Sequence, residues 1–168
     1  MKRLTILSIF LICLIICIVI AGIYQAHVRK IERKYNVSAY NCMSNMKTIY
    51  DQGLSKYAHD NRCFPDSLYE LFKQGYISDI SKFSCVKPLN SSLITSQEQF
   101  NELCDYIYLG KGRKPEHEKS ESAIILIDKM NNHKMIINVL FANGVCTEIK
   151  KKNLDAFCKE YNFDYNQR

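Results

Sequence analysis

Met135-Ile-Ile-Asn-Val-Leu-Phe-Ala-Asn-Gly-Val-Cys-Thr-Glu-Ile149 places two short apolar runs, 135–141 and 145–149, on either side of Ala142-Asn143-Gly144. Asn-Gly between two such runs favours a tight hairpin, because both residues tolerate positive φ. Upstream, Ala123 to Ile127 is a continuous apolar run suited to a buried strand, and Asp105 to Leu109 alternates as a shorter one. Downstream, Asn153 to Tyr161 reads as a closing helix. An antiparallel sheet of three or four strands is expected, and it needs a second layer to cover it.

That layer is legible nearer the amino terminus. Val37, Tyr40, Met43, Met46, Tyr50, Leu54 and Tyr57 recur at intervals of three and four, while Asn41, Ser44, Lys47, Asp51 and Lys56 take other positions. This is the period of an amphipathic helix with one face on a core. Gly22 and Gly53 are tolerable inside a helix at about 1 kcal/mol each, so a nearly continuous helix of about 85 Å can run from Leu4 to Asp60. Cys63-Phe64-Pro65 stops it. Asp66 is positioned to cap a short helix through Gln74 with Leu68, Leu71 and Phe72 on its apolar face, Gly75 ends that helix, and Gln97 to Cys104 supplies another turn or two. The fold class is α+β.

The first half of the long helix has a different character. Leu4 to Tyr24 carries no charge, and its only polar side chains are Thr5, Ser8 and Tyr24. A helix of that length spans roughly 30 Å, the thickness of a bilayer's hydrocarbon core. A cleavable secretory signal would use Lys2 and Arg3 as its charged start and Val19-Ile20-Ala21 before Gly22 as its cleavage site. The length of the run and its Ile and Leu density favour a retained anchor. Cys13 and Cys17 follow Ile rather than a small residue, so they read as bilayer-facing apolar groups and not as lipidation sites. The expected organisation is a cytoplasmic start at 1–3, a transmembrane helix at 4–24, a juxtamembrane amphipathic helix at 25–60 and a globular head at 61–168.

The net charge is +6, but six of the 23 basic and one of the 17 acidic residues lie at or before Lys34, leaving 17 against 16 beyond it. A nearly neutral head argues against nucleic acid as a partner, whereas the cluster Arg29, Lys30, Arg33 and Lys34 suits anionic lipid headgroups. Basic residues flank the apolar run on both sides, so charge alone does not set its orientation.

Eight cysteines is a high count, and six of them (Cys42, Cys63, Cys85, Cys104, Cys146 and Cys158) lie beyond the anchor. Outside the cytoplasm they allow up to three disulfides, whose fifteen pairings the spacing does not resolve. No two form a C-x-x-C pair and the histidines are scattered, so spacing assigns no metal ligands. No catalytic residues are assigned either. His27, His59, His117 and His133 have no nucleophile signature near them, Glu116 and Glu118 belong to a charged loop, and Gly110-Lys111-Gly112 lacks the rest of a phosphate loop. Neither a cofactor nor a small-molecule substrate is implied.

Cys42 to Ile49, Tyr57 to Asn61, Phe64-Pro65 with Leu68, and His133 nine residues before Asn143-Gly144 together resemble segments of the prepilin-like proteins that carry an H-x9-DG domain. Cys42-Met43-Ser44-Asn45-Met46-Lys47-Thr48-Ile49 is similar to that family's C-x-x-N-L-K-Q-I, Tyr57-Ala58-His59-Asp60-Asn61 to its Y-x-x-D-N, and Phe64-Pro65 with Leu68 to its F-P-x-x-L. Phe83-Ser84-Cys85 resembles F-x-C-P with Val86 in place of proline, and Tyr106-Ile107-Tyr108 its aromatic strand. His133 stands nine residues before Asn143-Gly144, within a segment that resembles N-V-L-F-A-D-G. The resemblance implies a pilin-like fold in which a long amino-terminal helix carries a small α+β head in the periplasm or outside a bacterial inner membrane. It also implies a structural or interaction role, with the bilayer and other pilin-like subunits or envelope proteins as partners.

Two departures qualify this. The family's helix begins G-F-T-L-I-E, where the glycine precedes the prepilin peptidase cut and the glutamate serves filament assembly, whereas Arg3-Leu4-Thr5-Ile6-Leu7-Ser8 stands here. Both features are missing, which counts against cleavage and polymerisation and keeps open a stand-alone signal-anchored binding or sensor module. Asn143 replaces the family's aspartate, preserving the turn and weakening any cation-binding role.

Overall fold

The computed structural model describes residues 2–85, 89–113, 123–163 and 165, without the side chains of 2–13, 31–38 and 93. Val86, the charged loop from 114 to 122 and the side chain of Val37 thus lie outside the described residues. The chain divides into two compact units, 1–37 and 38–168.

Helix α1, Lys2–Thr48, begins in the first unit and ends in the second. In the first unit its apolar side chains from Leu14 to Tyr24 are about half to two-thirds exposed. No helix among the described residues is long and apolar enough to cross a membrane. The expected span begins at Leu4, and its side chains through Cys13 lie outside the described residues.

In the second unit, the end of α1 continues through a π-helical turn, Ile49–Leu54, into α2, Ser55–Asn61. Arg62 then ends the helix with φ 61°. The buried face is made by Ala39, Cys42, Met46, Ile49, Gly53, Leu54 and Ala58. This corrects the expected stripe: Met46 and Leu54 belong to it, Met43, Tyr50 and Tyr57 are half-buried at its edges, and Tyr40 is 74% exposed. Ahead of the π turn, the steps of three from Tyr40 through Met43 to Met46 run short of the 3.6-residue period and drift off the buried face, and beyond it the turn itself moves that face. Ser55 N donates to Tyr50 O, one residue further back than in an α-helix, so the face rotates within the segment and no single period describes both sides of it.

Two short helices follow, α3 (Leu68–Lys73) and α4 (Gln97–Leu103). The residue capping α3 is Ser67 rather than Asp66. The Asp66 amide, one residue before the cap, instead donates to Glu70 Oε2 at 3.1 Å. Gly75, at φ 78°, closes the helix as expected.

Four strands form one antiparallel sheet in chain order: β1 (Tyr106–Tyr108), β2 (Ile124–Asp128), β3 (Ile136–Phe141) and β4 (Cys146–Lys150). Tyr106 pairs with Asp128, Leu126 with Leu140, and Leu140 with Cys146. Every residue of β2 is buried, as its uninterrupted apolar run requires, because both faces of the sheet are covered. One face carries Leu126 and Leu140 into a cluster with Cys42, Met46, Ile49, Phe64, Phe83 and Phe100. The other carries Ile127, Ile137 and Val139 against Leu154 and Tyr165. Leu154 opens α5 (Leu154–Glu160), which a single 3-10 turn, Lys151–Asn153, separates from β4. A bulge between Ile124 and Leu126 shifts the register, so that Ile124 joins the second cluster while Ile125 and Leu126 both join the first.

The hairpin falls where Asn-Gly placed it, with different turn chemistry. Gly144 N donates to Phe141 O at 2.9 Å and Phe141 N to Val145 O at 2.9 Å, a three-residue connection in which Gly144 alone takes positive φ, 82°. Asn143 serves through its side chain, whose Oδ1 accepts from Val145 N at 3.0 Å.

Candidate functional site

Cys42 lies on the buried face of α1, Cys85 just after the 3-10 turn Ile80–Phe83, Asp128 at the end of β2 and His133 in the β2–β3 connection. The fold brings these four side chains together, with one potential ligand atom of each inside a sphere of mutual distances no greater than 4.8 Å. Cys42 and Cys85 are joined by a disulfide across 43 residues of sequence. Among the described residues it is the one bridge formed. Cys63, Cys104 and Cys146 are thiols, so of the up to three bridges that the six cysteines allow, this pair is the one formed among the described residues. Cys104 is fully packed in the core and the half-buried Cys146 rests against Met46, so both act as small apolar groups of the kind cysteine often is. Cys158 is half-buried in α5.

Asp128, Cys42 and His133 are at most 2% exposed. Asp128 Oδ1 lies 2.9 Å from Cys42 Sγ, and its Oδ2 accepts from the Asn138 amide at 2.9 Å and sits 3.4 Å from His133 Nε2. A disulfide sulfur carries no hydrogen, so Cys42 donates nothing in this contact. Burial pushes the Asp128 carboxyl above the usual carboxylate range, with His133 and the Asn138 amide opposing that rise. The Tyr106 hydroxyl, 3.5 Å from Cys42 Sγ, is also held above its ordinary range, first by burial and then by Asp128. His133 Nε2 lies 3.8 Å from Cys85 Sγ, while its Nδ1 has no hydrogen-bond partner among the described residues.

A second layer fixes these groups. Asn45 Nδ2 donates to Ser84 O at 3.0 Å, and Asp105 Oδ2 accepts from both Ser84 Oγ and the Cys85 amide at 2.7 Å, which sets the segment that presents Cys85. Asn138 Nδ2 donates to Ala39 O at 3.1 Å, and Tyr165 Oη to Asp128 O at 2.5 Å. Helix, sheet and carboxyl-terminal segment are tied to one another here.

No family model matches the chain, and no curated protein or solved structure matches it. The candidate residues are accordingly placed by geometry alone.

The residues that carried the family resemblance fall into two groups. Cys42, Cys85 and His133 belong to the cluster itself and Asn45 to its support. The others make contacts elsewhere in the head. Lys47 Nζ donates to Gly144 O at 3.2 Å and pairs with Asp51 at 3.0 Å. Asp60 accepts from the Tyr76 hydroxyl at 2.9 Å, and Asn61 Nδ2 donates to Tyr57 O at 3.0 Å. Phe64 is buried with its amide on Arg113 O at 2.9 Å, and the Pro65 carbonyl accepts from the Tyr108 hydroxyl at 2.9 Å. Asn143 and Gly144 build the hairpin, 2.5 Å being all that separates an ideal Cβ at Gly144 from Tyr50 Cε1.

Asp128 is the residue that sequence reasoning missed, because the apolar run was closed at Ile127. A carboxylate directly ending a fully apolar strand was the available signal, as was Asn138 inside an otherwise apolar one.

Proposed function

We propose that this chain is a single-pass, membrane-anchored envelope protein of pilin-like construction, with its head on the outer side of a bacterial inner membrane. Its role there is structural or interactive, in assembly, secretion or at the cell surface, rather than enzymatic. The observation that carries this reading is the way the amphipathic end of α1 lies in the core of an α+β head and is joined to it by the Cys42–Cys85 disulfide. Such a bridge fits an oxidising compartment. The exposed apolar surface from Leu14 to Tyr24 fits burial in lipid. Beyond the bilayer, the partners are pilin-like subunits or other envelope proteins.

Membrane fractionation with amino-terminal sequencing tests it. The chain should stay with the membrane after alkaline carbonate extraction, and a membrane-impermeant maleimide should leave Cys42 and Cys85 unlabelled on the native head. Recovery in the soluble fraction, or reactive thiols at both positions, would overturn the reading. Arg3 and Ser8, in place of the cleavage glycine and the assembly glutamate, favour the stand-alone anchored binding or sensor module over a filament subunit. An intact Met1 with no cross-linked subunit ladder decides for the former, and a processed terminus with a ladder for the latter.

A further inference from the structure

Two sulfurs, an imidazole nitrogen and a carboxylate oxygen converge from four separate segments, and a disulfide uses only the first two. A tetrahedral zinc ion bound at 2.0–2.3 Å to such donors holds them about 3.3 to 3.8 Å apart. Cys85 Sγ to His133 Nε2 is already 3.8 Å, His133 Nε2 to Asp128 Oδ2 3.4 Å, and the full set spans at most 4.8 Å. Breaking the sulfur–sulfur bond lets the two sulfurs separate towards the same spacing. We propose that, once the Cys42–Cys85 disulfide is reduced, Cys42, Cys85, Asp128 and His133 bind one zinc ion, so that the centre alternates between a covalent bridge and a metal site.

The surroundings suit both states. The Asn138 amide already holds Asp128 Oδ2 and would keep the carboxylate oriented towards a metal, and the Tyr106 hydroxyl is placed to face a Cys42 thiolate. The imidazole would meet the ion through Nε2, the nitrogen that already faces Asp128 at 3.4 Å and Cys85 at 3.8 Å. The balance is simple. A thiol reductant, R′SH, converts the disulfide and two R′SH into two protein thiols and R′S–SR′. Zinc then displaces one proton from each thiol and is held by two thiolates, the carboxylate and the imidazole. Neither step depends on which side of the membrane the head occupies, so this inference and the proposed function can fail separately.

The test uses the full chain in detergent, reduced with a phosphine that forms no mixed disulfide and then freed of it. Zinc chloride should bind at one ion per reduced chain and protect Cys42 and Cys85 from alkylation, as mapped by peptide mass spectrometry, while the disulfide form binds none. Cobalt(II) in its place should give the intense visible bands of four-coordinate geometry and a sulfur-to-cobalt charge-transfer band. His133→Gln and Asp128→Asn, each first shown to fold in the disulfide form, should weaken zinc at least tenfold. Zinc bound equally by the oxidised chain, protection falling on Cys63, Cys104 or Cys146 instead, or an affinity indifferent to His133→Gln would each overturn the proposal. So would a folded, reduced chain that takes up no zinc.

Discussion

Gly144 shows how much of the head's specificity rests on one missing side chain. Its φ of 82° lies where a Cβ is disfavoured, and the site a Cβ would occupy is 2.5 Å from Tyr50 Cε1. Tyr50 has little freedom to retreat, because its hydroxyl donates to Ala142 O at 2.8 Å in the same turn. Gly144→Ala should therefore cost about 2 to 3 kcal/mol, the backbone penalty plus the displacement of a packed ring. Gly75 separates the two contributions: it has φ 78° with nothing within 4 Å of its Cβ position, so Gly75→Ala should cost only about 1 kcal/mol. Urea melts of the two variants decide this, and equal losses would mean that the contact with Tyr50 carries no energy.

Among the elements, the helix was legible in kind and misread in face. Met46 and Leu54 lie on the buried face, but Tyr40, six residues before Met46, stands about 120° round the helix from it, and beyond Thr48 the π turn at Ile49–Leu54 adds a residue that no periodicity announces. The strands were easier to place, since a buried strand shows itself as a short apolar run and Asn143-Gly144 marks the reversal. The Cys42–Cys85 pairing and the place of Asp128 beside it were not legible, because they depend on how distant segments meet and sequence spacing carries no such information. Gly53 shows what the π turn accomplishes. An added Cβ would lie 2.7 Å from Ile77 Cδ1 and 3.0 Å from Leu71 Cδ1, both buried, so the helix approaches the following segment as closely as a glycine allows. Gly53→Ala gains about 1 kcal/mol of helix propensity and loses more to overpacking, for a net destabilisation of about 1 kcal/mol. Ile77→Val removes the Cδ1 atom in the way. The double variant should be more stable than the sum of the single changes by about 1 kcal/mol in a thermodynamic cycle, and strict additivity would show that helix and segment are not in contact as described.

At the scale of the whole head, burial of ionisable groups sets an alkaline limit that the nearly neutral charge of the domain gives no hint of. Burial pushes the Cys104 thiol up to about 12, and does the same for Cys146, with Asp128 adding to the rise there. The Tyr108 and Tyr165 hydroxyls are raised above the ordinary tyrosine range as well, burial again being the first cause. Below about pH 8.5, the ordinary thiol value, these groups are neutral in the folded and unfolded chain alike and their shifts leave stability unchanged. Above it the unfolded chain releases protons that the folded chain retains. For the fully buried Cys104, folding then loses about 1.4 kcal/mol per pH unit until the folded thiol itself ionises at about 12, and the tyrosines add to the loss only above their ordinary value of about 10. With the disulfide intact, urea midpoints should hold steady from pH 7 to 8 and fall progressively from pH 9 to 11. Cys104→Ala, although weaker at pH 7 through the cavity it leaves, should show a shallower fall over the same interval, because one of the titrating groups is gone. A wild-type midpoint that stays flat to pH 11 would mean that these thiols and hydroxyls reach water in the folded state, and with it that the two-faced packing around the sheet is looser than the contacts of Cys104 and Tyr165 require.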